Sequence, residues 1–192
     1  VIASPLSQVC IAAQSAACVL KIWSSQPQTN ACDSTHYIQG LTGHKGTKRM
    51  NLVSLIDHAV LHPTATDADL VRECELAAIL GVASVCVKPY MVARASALLA
   101  NSSIAVGTVI GFPHGSNLTE VKAAEAMLAC QQGAVELDMV INIAKALEED
   151  WDYIANDIQG VLDIALHQDA ILKVIFETDY ISSTAAKIKL CQ

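Results

Sequence analysis

Two charged side chains lie inside stretches of sequence that are otherwise almost entirely apolar. Asp138 stands between Leu137 and Met139, and Lys173 lies within the apolar run 171–176. A carboxylate buried there without compensation would be costly, so Asp138 requires a cationic partner, and Lys173 can supply it. A buried lysine with a lowered pKa can act as a base or as an imine-forming nucleophile. We therefore favour a functional pair over a plain buried ion pair.

Other reactive side chains lie where predicted strands end. In parallel βα architectures, functional groups gather at those ends. Cys86 also lies in an apolar run, where a free thiol usually fills the core. His58 and His62 are four residues apart, but Pro63 and the strand-to-loop setting disfavour a metal pair, so we expect no metal site. The further candidates are Asp57, Lys88, Glu136, Glu177 and the turn 111–115, which holds Phe112 and His114.

These side chains are positioned by a regular alternation of short apolar runs and longer amphipathic stretches. Several runs are apolar on nearly every residue, so both of their faces must be covered, which is typical of parallel strands whose crossover helices shield the outside. The sequence predicts an α/β fold with five βα units. The predicted strands are 52–58, 83–87, 104–110, 135–141 and 171–176. The predicted helices run from about 67 to 80, 89 to 100, 118 to 132, 144 to 167 and from 182 onward.

The composition divides the chain at Met50. The 192 residues are 53% hydrophobic and 16% charged, with a formal net charge of −7, which is typical of a globular protein and argues against a nucleic-acid groove. Residues 1–49 hold four cations and one acid, a charge of +3, so residues 50–192 carry −10. We interpret 1–49 as a poorly structured extension, or as sequence upstream of a natural start at Met50. A secretory signal is disfavoured because Lys21 interrupts the apolar stretch 9–23.

The seven cysteines are odd in number and form no C-x-x-C pair. Zinc-ribbon spacing is therefore absent, and a reducing cytoplasm is the simplest compartment. No stretch predicts a membrane span.

Several motifs occur together in an order that resembles the deoxyribose-phosphate aldolase family over residues 50–192. They are Ile56-Asp57-His58 with 61–66, then 85–89, 111–115, 136–143 and 172–178. The resemblance implies a TIM (β/α)8 barrel of which about five βα units are present. It also implies a lyase that needs no metal or cofactor and acts in deoxyribonucleotide catabolism, a form of carbohydrate degradation. Such an aldolase cleaves 2-deoxy-D-ribose 5-phosphate to D-glyceraldehyde 3-phosphate and acetaldehyde through a lysine Schiff base.

The same resemblance assigns roles to individual residues. Asp138 matches the family's catalytic aspartate, which relays protons, and Lys173 matches a pocket lysine that does not form the imine. Asp57, Cys86, Phe112 and His114 match substrate-pocket segments. The family's Schiff-base lysine belongs to a K-T-S-T-G strand that follows the helix near residue 182, and residues 1–192 contain no such motif. Lys187 and Lys189 fall on a predicted helix, so we do not expect either of them to replace the Schiff-base lysine. We therefore expect residues 1–192 alone to lack turnover.

Two alternatives stay open at this point. Five strands of an eight-stranded barrel would leave two unpaired edges, so the chain can instead be a non-catalytic interaction module or a truncated fragment completed by a partner chain or a second copy. A different TIM-barrel phosphosugar enzyme is the weaker alternative. The expected partner is a small phosphosugar substrate, without nucleic acid or membrane, and a homo-oligomer remains an option.

Overall fold

The computed structural model describes residues 9–12, 19–20 and 51–192. Seven strands and six α-helices lie in these residues, and two 3₁₀ turns occupy Leu52–Leu55 and Pro89–Met91. The strands are β1 Val9–Ala12, β2 Val19–Leu20, β3 Ile56–Val60, β4 Ser84–Val87, β5 Ala105–Ile110, β6 Glu136–Val140 and β7 Ile171–Ile175. The helices are α1 Asp67–Leu80, α2 Val92–Leu99, α3 Thr119–Gln131, α4 Ile143–Leu147, α5 Trp151–His167 and α6 Thr184–Leu190.

The strands form a single sheet in the order β1-β7-β6-β5-β4-β3-β2. Strands β3 to β7 are parallel to one another, which confirms the five predicted βα units. The edges predicted to be unpaired carry short strands: β1 runs parallel to β7, and β2 runs antiparallel to β3. Apart from these six residues, the segment 1–49 lies outside the described residues, so its interpretation as an extension stays a prediction.

Local sequence signals set the ends of the first helix. Thr66 caps α1 through a capping box, in which the Asp69 backbone N–H donates to the Thr66 hydroxyl and the Thr66 N–H donates to the Asp69 carboxylate. Such a cap stabilises a helix by about 1 kcal/mol. Gly81 ends the helix in the left-handed conformation, with φ of 70°. None of the helices in the described part of the chain combines the length and apolar content that crossing a membrane requires.

Two predicted elements differ from the structure. The single helix predicted from about 144 to 167 is two helices, because Glu149 adopts a positive φ of 57° and Asp150 then caps α5 by accepting from the Tyr153 N–H. The first predicted strand begins later than expected, since 52–55 form a 3₁₀ turn and β3 starts at Ile56. Neither difference moves a candidate residue out of β3.

The hydrophobic core lies between the sheet and the helices. One face of the central strands is apolar, and burial of each large side chain there stabilises the fold by about 1.5–3 kcal/mol. The opposite face carries the polar residues of the same strands, because successive side chains alternate across a strand. The buried apolar side chains of the covered face include Val85, Val87, Leu137, Met139, Leu172 and Val174.

We expect Gly115→Ala to lower the free energy of unfolding by about 3 kcal/mol. Gly115 has a φ of 63°, and an added Cβ would lie 1.7 Å from the carbonyl oxygen of Ile141. Gly81→Ala is the matched control, because Gly81 has a similar φ and its added Cβ would meet nothing within 4 Å. Urea unfolding of both variants separates the steric overlap from the conformational strain. Equal losses in the two variants would contradict the overlap.

Candidate active site

Lys173 lies at the centre of a group of three carboxylates. Its ammonium contacts Asp138 at 2.9 Å, Glu136 at 3.4 Å, and Asp57 at hydrogen-bond distance. We call these four residues the charged cluster. All four are buried, and the side chain of Lys173 is only 1% exposed. The pairing predicted between Asp138 and Lys173 is therefore present, and two further carboxylates share the same lysine.

The register of the sheet brings the charged cluster together. Asp138 is directly opposite Lys173 in the β6–β7 pair, so their side chains leave the sheet on the same face. Glu136 precedes Asp138 by two residues and shares that face. Gly107 lies beside Glu136, and a Cβ at this position would approach the Glu136 Cβ to 3.2 Å. The glycine thus leaves room for a carboxylate in the middle of the sheet.

The carboxylates around Lys173 decide its charge state. Burial alone lowers the pKa of Lys173, but the charges of Asp138 and Asp57 and the hydrogen bonds that it donates to them outweigh burial, so its pKa is raised. Lys173 is consequently held as an ammonium ion. The alternative of a free amine with a lowered pKa is therefore disfavoured, because one lysine faces several carboxylates.

Asp138 is tuned toward neutral pH. Burial has the largest effect on the pKa of Asp138 and raises it, and the Asp57 charge raises it as well. The Lys173 charge and the hydrogen bonds from Lys173 and from the Cys86 thiol lower it. The resulting pKa of Asp138 is about 6. A carboxyl group with such a pKa can both accept and donate a proton near physiological pH. Burial and the nearby Asp138 raise the pKa of Cys86, so this residue is a thiol that donates rather than a thiolate nucleophile.

Two buried oxygen atoms near the charged cluster lack a hydrogen-bond partner among the described residues. They are the Oδ1 atom of Asp57 and the hydroxyl of Ser84, which is opposite Asp57 in the β3–β4 pair. A buried polar atom of this kind costs about 1–3 kcal/mol unless a donor or acceptor reaches it. This side of the site therefore has capacity for a ligand or for further polar groups.

The loop after β5 exposes two of the predicted pocket residues. Phe112 is 40% exposed, and His114 is also exposed. Burial raises the pKa of Glu177 after β7, Asp179 raises it further, and the His114 charge lowers it. The roles of Phe112 and His114 as pocket residues stay predictions.

The histidines considered as a metal pair point to different partners. His58 contacts the Glu73 carboxylate at 2.9 Å, whereas the His62 Nδ1 atom lies 2.9 Å from the Thr64 hydroxyl. Lys88 is also engaged, because its ammonium donates to the backbone carbonyls of His62 and Ala65. This lysine joins the end of β4 to the loop after β3.

A second buried ion pair joins α3 to α5 and was not identified from the sequence. The Lys122 ammonium on α3 contacts the Asp157 carboxylate on α5 at 2.6 Å and donates to the Val140 carbonyl at 3.0 Å. Thr119 donates to the other Asp157 oxygen at 2.8 Å. Because Val140 ends the strand that carries Asp138, this pair fixes the end of β6 to two helices. Spacing alone gives no signal for it, since both residues occupy ordinary helical positions.

Asp57→Asn is expected to lower the pKa of Asp138 below 6, because the Asp57 charge raises that pKa. The folded-state pKa of Asp138 exceeds its ordinary value of 3.8, so the folded state binds this proton more tightly and loses stability as pH rises from about 4 to about 6. Carboxyl ¹³C NMR titration measures the shift. Asp163→Asn, at an exposed position on α5, serves as the control. An unchanged Asp138 titration in Asp57→Asn would refute the coupling.

A parallel βα sheet with helices on one face and acid–base groups on the other is typical of TIM-barrel enzymes, and the described chain forms part of such a barrel. The family model described as DeoC/LacD family aldolase matches residues 52–182, which include the whole charged cluster. The chain belongs to this aldolase family.

Individual relatives agree with this assignment. The deoxyribose-phosphate aldolase of Enterococcus faecalis is 46% identical over 143 residues, covering 74% of this chain and 64% of that protein. The deoxyribose-phosphate aldolase of Rhodopirellula baltica is 44% identical over 138 residues, covering 72% of this chain and 57% of that protein. The tetrameric deoxyribose phosphate aldolase of Aeropyrum pernix superimposes with a TM-score of 0.59 at 29% identity, covering 64% of this chain and 51% of that one. The chain thus spans about three fifths of the length of these curated relatives.

Proposed function

We propose that the chain is part of a deoxyribose-phosphate aldolase and supplies the proton-handling half of an imine-forming site. The observation that carries the proposal is the buried pair of Asp138, with a pKa of about 6, and Lys173, held as an ammonium ion. Proton transfer near neutral pH requires a carboxyl group tuned in this way. The substrate in this proposal is 2-deoxy-D-ribose 5-phosphate.

The amine that captures the substrate lies outside residues 1–192 in this proposal. It attacks the C1 aldehyde of the ring-opened sugar, and loss of water gives a protonated imine. The imine accepts the electron pair as the C2–C3 bond breaks and the C3 hydroxyl loses its proton, which releases glyceraldehyde 3-phosphate. The remaining enamine takes up a proton at C2, and hydrolysis then releases acetaldehyde and regenerates the amine.

Asp138 serves the proton transfers of this sequence. Its ionised form accepts a proton from a reacting hydroxyl, and its protonated form returns that proton to the departing water or to carbon. Lys173 orients Asp138 and balances its charge, while the Cys86 thiol on β4 donates to it across β5, the strand that lies between β4 and β6. The Oδ1 atom of Asp57 is available to accept a hydrogen bond from a substrate hydroxyl.

The second candidate is a non-catalytic module or fragment that another chain completes. The buried Asp57 Oδ1 and Ser84 hydroxyl favour it, because groups from an added polypeptide could satisfy both atoms. Size-exclusion chromatography separates the candidates: a stable, inactive oligomer favours the module. A homo-oligomeric enzyme and the cytoplasmic location stay predictions.

Borohydride trapping with 2-deoxyribose 5-phosphate tests the aldolase proposal. We expect no covalent adduct in the site of the polypeptide 1–192, because its buried lysine is protonated. A polypeptide extended through the codons that follow Gln192 is expected to cleave the sugar, and Asp138→Asn in it to lower kcat by about 10²–10⁴-fold.

Asp163→Asn is the surface control for this experiment and should leave kcat unchanged. An adduct mapped to Lys173 in the polypeptide 1–192 would contradict the division of roles. Full activity of the extended Asp138→Asn variant would refute the role of Asp138.

A further inference from the structure

The turn 111–115 after β5 begins and ends with glycine and is closed by a hydrogen bond. The Gly115 N–H donates to the Gly111 carbonyl at 2.8 Å, and φ is positive at both residues, 66° at Gly111 and 63° at Gly115. Both glycines are buried, whereas the three residues between them are exposed. The turn therefore has two buried ends and an exposed middle that carries Phe112 and His114.

One end of the turn lies directly on the end of β6. A Cβ at Gly115 would lie 1.7 Å from the carbonyl oxygen of Ile141 and 2.8 Å from that of Val140. Only glycine permits so close an approach of two backbones. The Ile141 N–H also donates to the Ile175 carbonyl at 3.2 Å, which joins this part of the chain to β7. The sheet thus sets the position of Gly115.

Two side chains of α3 hold the other end of the turn. The Gly111 N–H donates to the Glu125 carboxylate at 2.8 Å, a charge-assisted hydrogen bond of a kind that contributes about 1.5–3 kcal/mol. The Lys122 side chain packs against Gly111, where an added Cβ would meet the Lys122 Cε atom at 2.9 Å. The Lys122 ammonium then donates to the Val140 carbonyl at 3.0 Å. Lys122 therefore connects the start of the turn to the end of β6.

Close packing of α3 against α5 fixes the position of Lys122. Asp157 on α5 accepts from the Lys122 ammonium at 2.6 Å and from the Thr119 hydroxyl at 2.8 Å. Gly160 on α5 allows Thr119 to approach, since an added Cβ would lie 2.5 Å from the Thr119 methyl carbon. Helix α3 is thus anchored to α5, and it supports the turn from that anchored position.

We propose that Lys122 and Glu125 are positioning residues, which hold the turn 111–115 beside the end of β6 so that its exposed middle forms one wall of the substrate pocket. Strands β5 and β6 are neighbours, and the ends of parallel strands meet at the same edge of the sheet. The turn consequently lies beside the end of the strand that carries Asp138. The role in substrate binding rests on the proposed function, whereas the attachment of the turn does not.

Amide hydrogen exchange measured by NMR on the full chain tests the attachment. In the unaltered protein we expect the Gly111 amide to be protected. Glu125→Ala removes its acceptor and should speed its exchange about tenfold or more. Glu125→Gln keeps a side-chain carbonyl oxygen that can accept the same hydrogen bond, so this variant should retain most of the protection. Glu120→Gln, at an exposed position in the first turn of α3, is the control and should leave the exchange unchanged.

The kinetic test uses the polypeptide that is extended beyond Gln192. We expect Glu125→Ala to raise the KM for 2-deoxyribose 5-phosphate about fivefold or more, because a turn that is in place for only part of the time binds substrate only in that fraction. The kcat should stay within about twofold, since Asp138 and Lys173 are unchanged. Glu125→Gln should restore the KM. A loss of folded protein alone would lower the apparent kcat and leave the KM unchanged.

Rapid exchange of the Gly111 amide in the unaltered protein would overturn the proposal, because Glu125 would then not hold the turn. An unchanged KM in an active, extended Glu125→Ala variant would overturn the role in substrate binding and leave the proposed function in place. An extended polypeptide that cleaves no sugar would refute the proposed function instead, and amide exchange in residues 1–192 then decides the attachment. If Glu125→Ala fails to fold, the protection of Gly111 in the unaltered protein still decides.

Discussion

Replacing Lys173 with methionine is expected to lower the free energy of unfolding by about 3–5 kcal/mol, enough to unfold a marginal domain. The substitution leaves Asp57, Glu136 and Asp138 buried together without the ammonium that contacts all three. Like charges at such short range must then take up protons, so the remaining stability should shift toward acidic pH. Urea unfolding at pH 5 and at pH 7.5 measures both effects.

Lys145→Met is the control for this experiment, because Lys145 forms ion pairs with Glu148 and Asp150 at the surface. We expect little change in stability there, since exposed ion pairs contribute little. The triple variant Lys173→Met, Asp57→Asn, Asp138→Asn should recover part of the loss. A Lys173→Met protein as stable as the unaltered one would refute the account of the charged cluster.

Lys122→Met is expected to cost a similar amount, about 3–5 kcal/mol, through a different contact. Its side chain is fully buried, and the substitution removes the partner of Asp157 and a donor to the Val140 carbonyl. Burial lowers the pKa of Lys122, while Asp157 raises it, and the net pKa is lowered. Burial of the Lys122 ammonium therefore has a substantial desolvation cost, which its contact with Asp157 offsets only in part. Thermal or urea unfolding of the full chain measures the loss.

The double variant Lys122→Met, Asp157→Leu distinguishes a lost ion pair from a lost side-chain volume. Replacing both partners of a buried pair with apolar residues is often nearly neutral, so the double variant should be more stable than Lys122→Met alone. A double-mutant cycle gives the interaction energy of the pair. Strictly additive losses would show that Lys122 and Asp157 contribute separately.

The arrangement of strands and helices could be predicted from the sequence because each element carries its own apolar pattern and end signal. Helix α1 spans Asp67–Leu80 as expected, and the strands with continuous apolar runs are parallel and buried. The interruption between α4 and α5 could not be predicted, because glutamate is a good helix former and yet Glu149 adopts a positive φ. The pairing of β1 with β7 was equally hidden, since contacts between distant segments leave no local pattern.

The candidate site was predictable where a charged residue interrupts an apolar strand. Asp138 and Lys173 satisfy that condition, and their contact follows from adjacent strands in register. The charge state of Lys173 could not be predicted, because it depends on how many carboxylates converge on one ammonium. Lys122 and Asp157 were missed because lysine and aspartate are common on exposed helix faces, and only tertiary packing buries them.

The lysine side chains of the described domain differ sharply in their chemical accessibility. Lys122 and Lys173 are enclosed, and Lys88 is bound to two backbone carbonyls, whereas Lys189 projects from the last turn of α6. Among the lysines that the structure describes, acylating or aldehyde reagents should therefore modify those of α6 long before they reach Lys122 and Lys173. Peptide mapping of such labelled protein would show whether the sheet ever opens, because modification of Lys173 requires it to do so.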